Sequence, residues 1–223
     1  YMAIVGQSLG LIYGYEFDGI YQYSDFYSVP GSSTLVLKEG VTSNPSLGNR
    51  LAPGAVKYKD QDGDGVITTK DRTVIGNALP KWYGGITNTF NYKGIDFSFM
   101  LQFNYGNDIY NATRLYATQT NTQRRNQLAE VADRWSPTNA SNKVPSYNGY
   151  VVNDVYSRFV ENGSFLRLKN ITLGYTLPHK WTRSFHASKL RIYATGQNLF
   201  CLNNYSGYDP EVSTALSLIH ISE

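Results

Sequence analysis

The residues of this chain whose types and spacing point most directly to chemistry are Asp60-Gln-Asp62-Gly-Asp64-Gly65-Val66-Ile67-Thr68-Thr-Lys-Asp71. Counting Asp60 as loop position 1, carboxylates stand at positions 1, 3, 5 and 12. Gly65 falls where such a loop must turn sharply, Val66 next to it offers a backbone carbonyl, and Ile67 points inward to anchor the loop. Hard calcium takes about six to eight oxygens. This spacing wraps Asp60, Asp62, Asp64, Val66 and Asp71 round one centre. Asp71 departs from the usual Glu at the last position, and its shorter side chain coordinates less fully unless water or a shift of the loop completes the shell. The expectation is a structural Ca2+ staple, since a sensor would pair helices over a Met-rich groove and the chain has 2 Met. The competing reading is an acidic turn that binds nothing.

No catalytic constellation accompanies the loop. His179, His186 and His220 lie far in sequence from a nucleophile or second ligand, and Asp96 and Glu161 have no evident partner carboxylate for glycosidase work. The expectation is therefore not an enzyme. Net charge is +3, from 20 basic and 17 acidic residues, and Arg124-Arg125 is the longest basic cluster, so nucleic acid is not an expected partner. Cys201 is the single cysteine, which excludes an internal disulfide and reads as a small buried or lipid-facing residue.

The elements around the loop read as strands. The chain has 223 residues with 19 Tyr, 10 Phe and 3 Trp, a composition that suits pleated surfaces. No apolar run reaches the roughly 18 residues of a transmembrane helix. No signal peptide is read, and Tyr1-Met-Ala-Ile-Val5 resembles the inside of a protein. Ile95, Phe97, Phe99, Leu101, Phe103 and Tyr105 alternate strictly with Asp96, Ser98, Met100, Gln102 and Asn104. A shorter strand, Ile86–Tyr92, precedes it across a two-residue Lys93-Gly94 turn. Eleven residues at about 3.3 Å each, tilted near 45°, cover about 25 Å, the height of an outer-membrane apolar band. A second hairpin is expected from Phe165–Leu177 and Lys189–Phe200, joined through Pro178–Ser188, with a bulge where alternation slips between Leu168 and Ile171. Gly106–Gly163 is a very long connection with a helix expected around Asn121–Arg134. Leu9–Gln22 reads as extended, and Ser28–Pro53 as loop. Short turns alternating with long loops are the asymmetry of a membrane barrel.

Several stretches, in order, carry a resemblance to a known family. They are Ile12-Tyr-Gly-Tyr-Glu-Phe-Asp-Gly-Ile-Tyr21, Gly54 to Gly65, Val74 to Gly85, Val160 to Tyr175, Gly196-Gln-Asn-Leu-Phe200 and Tyr208-Asp-Pro-Glu211. The chain resembles the C-terminal half of SusC/RagA-type TonB-linked outer-membrane transporters of the Bacteroidetes. The resemblance implies an all-β fold: antiparallel strands of a large, roughly 22-stranded transmembrane β-barrel, incomplete here, with long extracellular loops. It also implies a SusD-type surface lipoprotein as partner, energy from the TonB complex through a missing N-terminal region, contact with outer-membrane lipid, and import of oligosaccharides or peptides. Residues 1–214 are read as the barrel part, a fragment in which the plug, the TonB box and the first strands are absent, and 215–223 as a non-native or truncated tail, because the likeness stops after Ser213.

On this reading Ile95, Phe97, Phe99, Leu101 and Phe103 face lipid, and Asp96, Gln102 and Asn104 line the lumen. Such a chain alone would neither close nor transport. The loop aromatics Trp135, Tyr147, Tyr150 and Tyr205 could stack on sugar rings, but packing or an interfacial girdle is the preferred reading. The alternative for the whole chain is a calcium-binding glycan-recognition β-module at the cell surface, in which Phe97–Phe103 would be buried under a second sheet.

Overall fold

Lys93 and Gly94 both take positive φ, 47° and 87°, which is the backbone of a tight turn whose twist matches its flanking strands. In the computed structural model, which describes residues 4–32, 34–119, 126–151, 154–183 and 187–211, this turn joins two long strands. To number all strands in chain order, the short ones are β1 (Leu11–Gly14), β2 (Phe17–Ile20), β3 (Phe26–Ser28), β4 (Leu35–Leu37), β5 (Val56–Tyr58), β6 (Thr73–Asn77), β9 (Asp108–Tyr110) and β10 (Val160–Asn162). The long ones are β7 (Trp82–Tyr92), β8 (Ile95–Tyr105), β11 (Phe165–Thr176) and β12 (Arg191–Asn203).

The four long strands form one antiparallel sheet in the order β12-β11-β8-β7. Their lengths, 11 to 13 residues, exceed the usual five or six of soluble strands. Register puts Ile86, Phe90 and Tyr92 beside Leu101, Phe97 and Ile95, and these beside Leu168, Leu173 and Tyr175. Directly paired residues share a face, so one face is almost wholly apolar. Phe90, Phe97 and Phe99 stack upon it with centroids 5.9–6.5 Å apart. Trp82 and Tyr105 pair at one end of this face, and Tyr92 and Tyr175 close the other.

The slip expected between Leu168 and Ile171 is present as a bulge. Leu168 pairs with Leu101 and Asn170 with Met100, leaving Lys169 without a partner on β8. Leu168 and Ile171, three apart, thus return to the same apolar face, and Arg167, Lys169 and Asn170 go to the other. β12 answers at the same level: Leu168 pairs with Phe200 and Asn170 with Gln197, and Asn198 has φ 49°. Asn tolerates this left-handed backbone better than other non-glycine residues. The Gly196–Phe200 stretch is therefore an irregularity of the wall. Cys201 pairs with Arg167 on the polar face, so of the two expected environments it does not take the lipid-facing one.

Residues of the sheet, 79–108 and 162–211, form one of two compact units. Among the described residues of that unit no second sheet covers the Phe97–Phe103 face.

The other unit comprises residues up to Ala78 and Ile109–Glu161. Its β1-β6, β2-β5 and β3-β4 pairs are short ladders round a core of Tyr15, Tyr21, Tyr58, Tyr156, Phe26, Phe159, Leu47 and Val56. Tyr15 and Tyr58 stack at 4.7 Å, and Tyr156 meets Phe159 edge-on at 5.0 Å. Ser28–Pro53, expected to be loop, holds the last residue of β3, all of β4 and a 3-10 turn at Pro45–Arg50 that contributes Leu47 to the core. The helix expected around Asn121–Arg134 is placed differently. A helix, α1, runs over Ala112–Thr118, started by Asn111 Oδ1 accepting the Arg114 amide, and a 3-10 turn spans Ala129–Asp133. Asn111 is a good N-cap, and that signal lies upstream of the segment in which the helix was expected. Residues 120–125, with Arg124-Arg125, lie outside the described residues, as do His186, His220 and the tail 215–223.

Candidate functional site

The Asp60–Asp71 loop follows β5 and precedes β6. Gly63 and Gly65 take φ of 75° and 83°, so their amides turn inward. Gly63 N donates to Asp60 Oδ1 at 2.7 Å and Gly65 N to Asp60 Oδ2 at 2.8 Å. Asp71 is fully out of solvent and accepts from Gln61 N at 2.8 Å and Thr68 N at 2.7 Å. Burial alone would raise its pKa. The amides of Thr68, Gln61 and Asp62 outweigh burial and hold it below the ordinary carboxylate value. Asp71 is therefore ionised at neutral pH inside the fold.

Oxygens of Asp60, Asp62 and Asp71 lie within 4.8 Å of one another. Calcium binds oxygens at about 2.3–2.6 Å, so ligands of one ion stand at most about 5 Å apart. The three carboxylates meet that condition and are all-oxygen donors, as calcium requires. Asp64 is outside this group, and its Oδ1 accepts the Val66 amide at 2.8 Å. Ser43 bridges the loop by donating to the Gly65 carbonyl at 2.8 Å and accepting from Ile67 N at 2.7 Å. That bridge leaves the Val66 carbonyl out of its ladder. Ile67 is 2% exposed and joins the core, as its loop position required. On the other side Gln61 Nε2 donates to Glu16, which also pairs with Lys59 at 3.2 Å.

The sheet carries a second polar assembly, on the face opposite the phenylalanines. Arg167 on β11 reaches Asp209 at 2.5 Å through Nη2 and Glu211 at 2.9 Å through Nε. The Nε contact is an ion pair whose angle falls short of a hydrogen bond. Lys169, the bulge residue, reaches Glu211 at 3.2 Å, and Gln102 Nε2 donates to it at 3.0 Å. The Tyr208–Glu211 stretch is thus clasped to the polar face. Nearer the tight turn Arg191 grips Asp96 with Nε and Nη2, over Gly174, where any β-carbon would strike both groups. Asp96, read from sequence as unpartnered by carboxylate, is paired to an arginine instead.

The roles of Tyr208–Glu211, Arg167 and Lys169 are not legible from their types alone. The slip at Leu168–Ile171 was the available signal, because the bulge is what sends Lys169 to the polar side. Trp135 and Tyr150 are packing residues, as preferred: Trp135 is buried with Nε1 donating to Gln22, and Tyr150 donates its hydroxyl proton to the Thr118 carbonyl. Tyr147 is exposed and Tyr205 half-buried. Glu161 pairs with Arg114 at 3.2 Å, and Arg114 is also joined to Glu130 at 2.8 Å.

An apolar face of membrane height, a polar face crossed by ion pairs, and long antiparallel strands joined by the tight β7-β8 turn define part of a transmembrane β-barrel wall. Solved structures of the RagAB peptide transporter match with a TM-score of 0.60 at 21% identity, covering 90% of this chain and 20% of that one. A RagAB peptide importer in a closed-closed state matches at 0.61 and 24%. At these identities the likeness is one of fold. No protein-family model matches the chain. TonB-dependent receptor P3 of Formosa agariphila is 34% identical over 208 residues, 93% of this chain and 19% of that protein. TonB-dependent receptor SusC of Bacteroides thetaiotaomicron is 31% identical over 160 residues, 71% of this chain and 16% of that protein. The chain belongs to the SusC/RagA family of TonB-dependent receptors, β-barrel proteins of the outer membrane. It spans about a fifth of the length of the curated relatives it matches.

Proposed function

We propose that this chain is a wall-and-loop portion of a receptor that imports oligosaccharides or peptides across the outer membrane, driven by the TonB complex and working with a SusD-type surface lipoprotein. The observation that carries the reading is the sheet register, which puts Ile95, Phe97, Phe99, Leu101 and Phe103 on one face and Asp96, Gln102 and Asn104 on the other. A soluble glycan-recognition module would have no use for an uncovered phenylalanine face of this height. The test uses the whole receptor. It should fractionate with outer membranes, require detergent, co-purify with a SusD-type lipoprotein, and take up labelled oligosaccharide or peptide only when TonB is present. Solubility without detergent would overturn the reading in favour of the surface module, and uptake unaffected by loss of TonB would overturn the energy source.

Within that receptor the Asp60–Asp71 loop holds Ca2+ as a structural brace. Asp60, Asp62 and Asp71 would supply carboxylate oxygens, with the Val66 carbonyl and Asp64, directly or through water, completing the shell. The ion would supply charge neutralisation and rigidity to the segment between β5 and β6. Support comes from the gathering of three carboxylates and the buried ionised Asp71. Chelation should lower the unfolding temperature of the receptor, and Asp62→Ala should abolish the calcium response. An unfolding temperature that ignores both chelator and Asp62→Ala would remove the metal.

A further inference from the structure

The end of the sheet where β7 turns into β8 and where β11 leads into β12 carries positive charge with little to balance it. Lys93 sits in the β7-β8 turn. Lys180 lies in α2 (His179–Thr182), Arg183 caps that helix, and Lys189 lies just before β12. All four are exposed, and among the described residues none forms an ion pair. The carboxylate of this end, Asp96, is taken by Arg191, with Lys189 adding attraction through space.

Aromatic residues stand beside these cations. Tyr92 and Tyr175 end the apolar face, Lys93 Nζ lies 5.1 Å from the Tyr92 ring centroid, and Trp181 in α2 is 59% exposed. Tyr and Trp at the end of a lipid-facing band mark the headgroup level of a membrane. Lys93 follows Tyr92 directly, and Lys180, Arg183 and Lys189 lie in the connection that leaves β11 just past Tyr175, so these cations stand beyond the aromatic level, where lipid phosphates lie and long stems can bend toward them. A soluble anion would gain from the charge but not from the adjoining apolar face.

We infer that this end binds the headgroup of an anionic phospholipid, its phosphate met by Lys93, Lys180, Arg183 and Lys189 and its acyl chains lying along the apolar face beside Tyr92 and Tyr175. The inference rests on the barrel-wall reading. Clustered cations beside membrane-spanning elements recognise anionic headgroups through charge that salt weakens.

The whole receptor, purified in detergent, is offered phosphatidylglycerol and phosphatidylethanolamine at equal concentration, and retained lipid is measured by native mass spectrometry. The wild type retains phosphatidylglycerol preferentially, less so at high salt. Combining Lys180→Gln, Arg183→Gln and Lys189→Gln with Lys93→Gln lowers that retention by about tenfold or more, while heat-modifiable gel mobility reports a folded barrel. Equal retention of the two lipids by the wild type overturns the inference, as does undiminished phosphatidylglycerol retention by the folded variant. If the combined variant does not fold, Lys180→Gln and Lys189→Gln are read singly by the same criterion. Failure of the barrel reading itself appears separately, as a receptor that needs no detergent.

Discussion

Arg167 and Asp209 meet at 2.5 Å, 42 residues apart in sequence, because the β11 bulge and the end of β12 bring them to one level of the polar face. Arg167 is largely buried, and Glu211 holds its Nε side. The pair fastens the segment after β12 to the strand beside it. Removing this buried arginine leaves Asp209 without its cation and Glu211 with only Lys169. Arg167→Ala is expected to destabilise the receptor by about 1–3 kcal/mol, below the full buried-pair figure because Asp209 and Glu211 keep partial contact with water. Hydrogen exchange should quicken over 204–211. Arg167→Lys should rescue only in part, since one ammonium cannot grip both partners. Unchanged exchange in Arg167→Ala would show that the segment is held by something else.

The two faces of β8 make opposite predictions. Phe99→Arg places a charge in the middle of the apolar face and should cost about 2–4 kcal/mol in refolding into lipid vesicles. Ser98→Arg, one residue away on the polar face, should cost far less. Similar losses for both would contradict the assignment of faces.

Asp71 should matter to the loop even without metal. Asp71→Ala leaves the amides of Gln61 and Thr68 without their acceptor, at about 1–3 kcal/mol in all, since both donors lie on residues that keep some solvent contact. Asp62 is exposed and, among the described residues, accepts a single long bond, from Asp64 N, so Asp62→Ala should be nearly silent in chelator. Thermal unfolding of both variants with calcium and with chelator separates the two contributions. A large loss from Asp62→Ala in chelator would refute the division.

Acid should loosen the second unit through Glu130. The hydrogen bond from Arg114 is the main reason its pKa lies below the ordinary 4.5, with added attraction from Arg158 against the cost of burial. A carboxylate whose folded pKa is depressed stabilises the fold fully above its unfolded pKa, and that stability is lost as pH falls through the folded value. The difference in stability between wild type and Glu130→Gln should thus be complete at neutral pH, begin to shrink near pH 4.5, and vanish in stronger acid. A difference that persists unchanged at pH 2 would mean the pairing is not its source.

Much of the wall was legible in the sequence, because a lipid-facing strand must alternate and the two-residue period leaves little freedom in which face is apolar. Ile95–Tyr105, the Lys93-Gly94 turn and the bulge near Leu168 follow from local order alone. The calcium-type spacing, too, is a local pattern, and the fold gathers Asp60, Asp62 and Asp71 as that spacing requires while leaving Asp64 on its own amide. What only the tertiary structure decided are the contacts between residues distant in sequence. The Tyr15, Tyr58, Tyr156 and Phe159 core turns supposed loops into a packed unit, and the Arg167–Asp209 clasp spans two strands and a bulge. Periodicity reports which side of an element is buried. It carries no information on which distant residue will be found there, and a charge such as Arg167 reveals its partner only when register sets the two strands side by side.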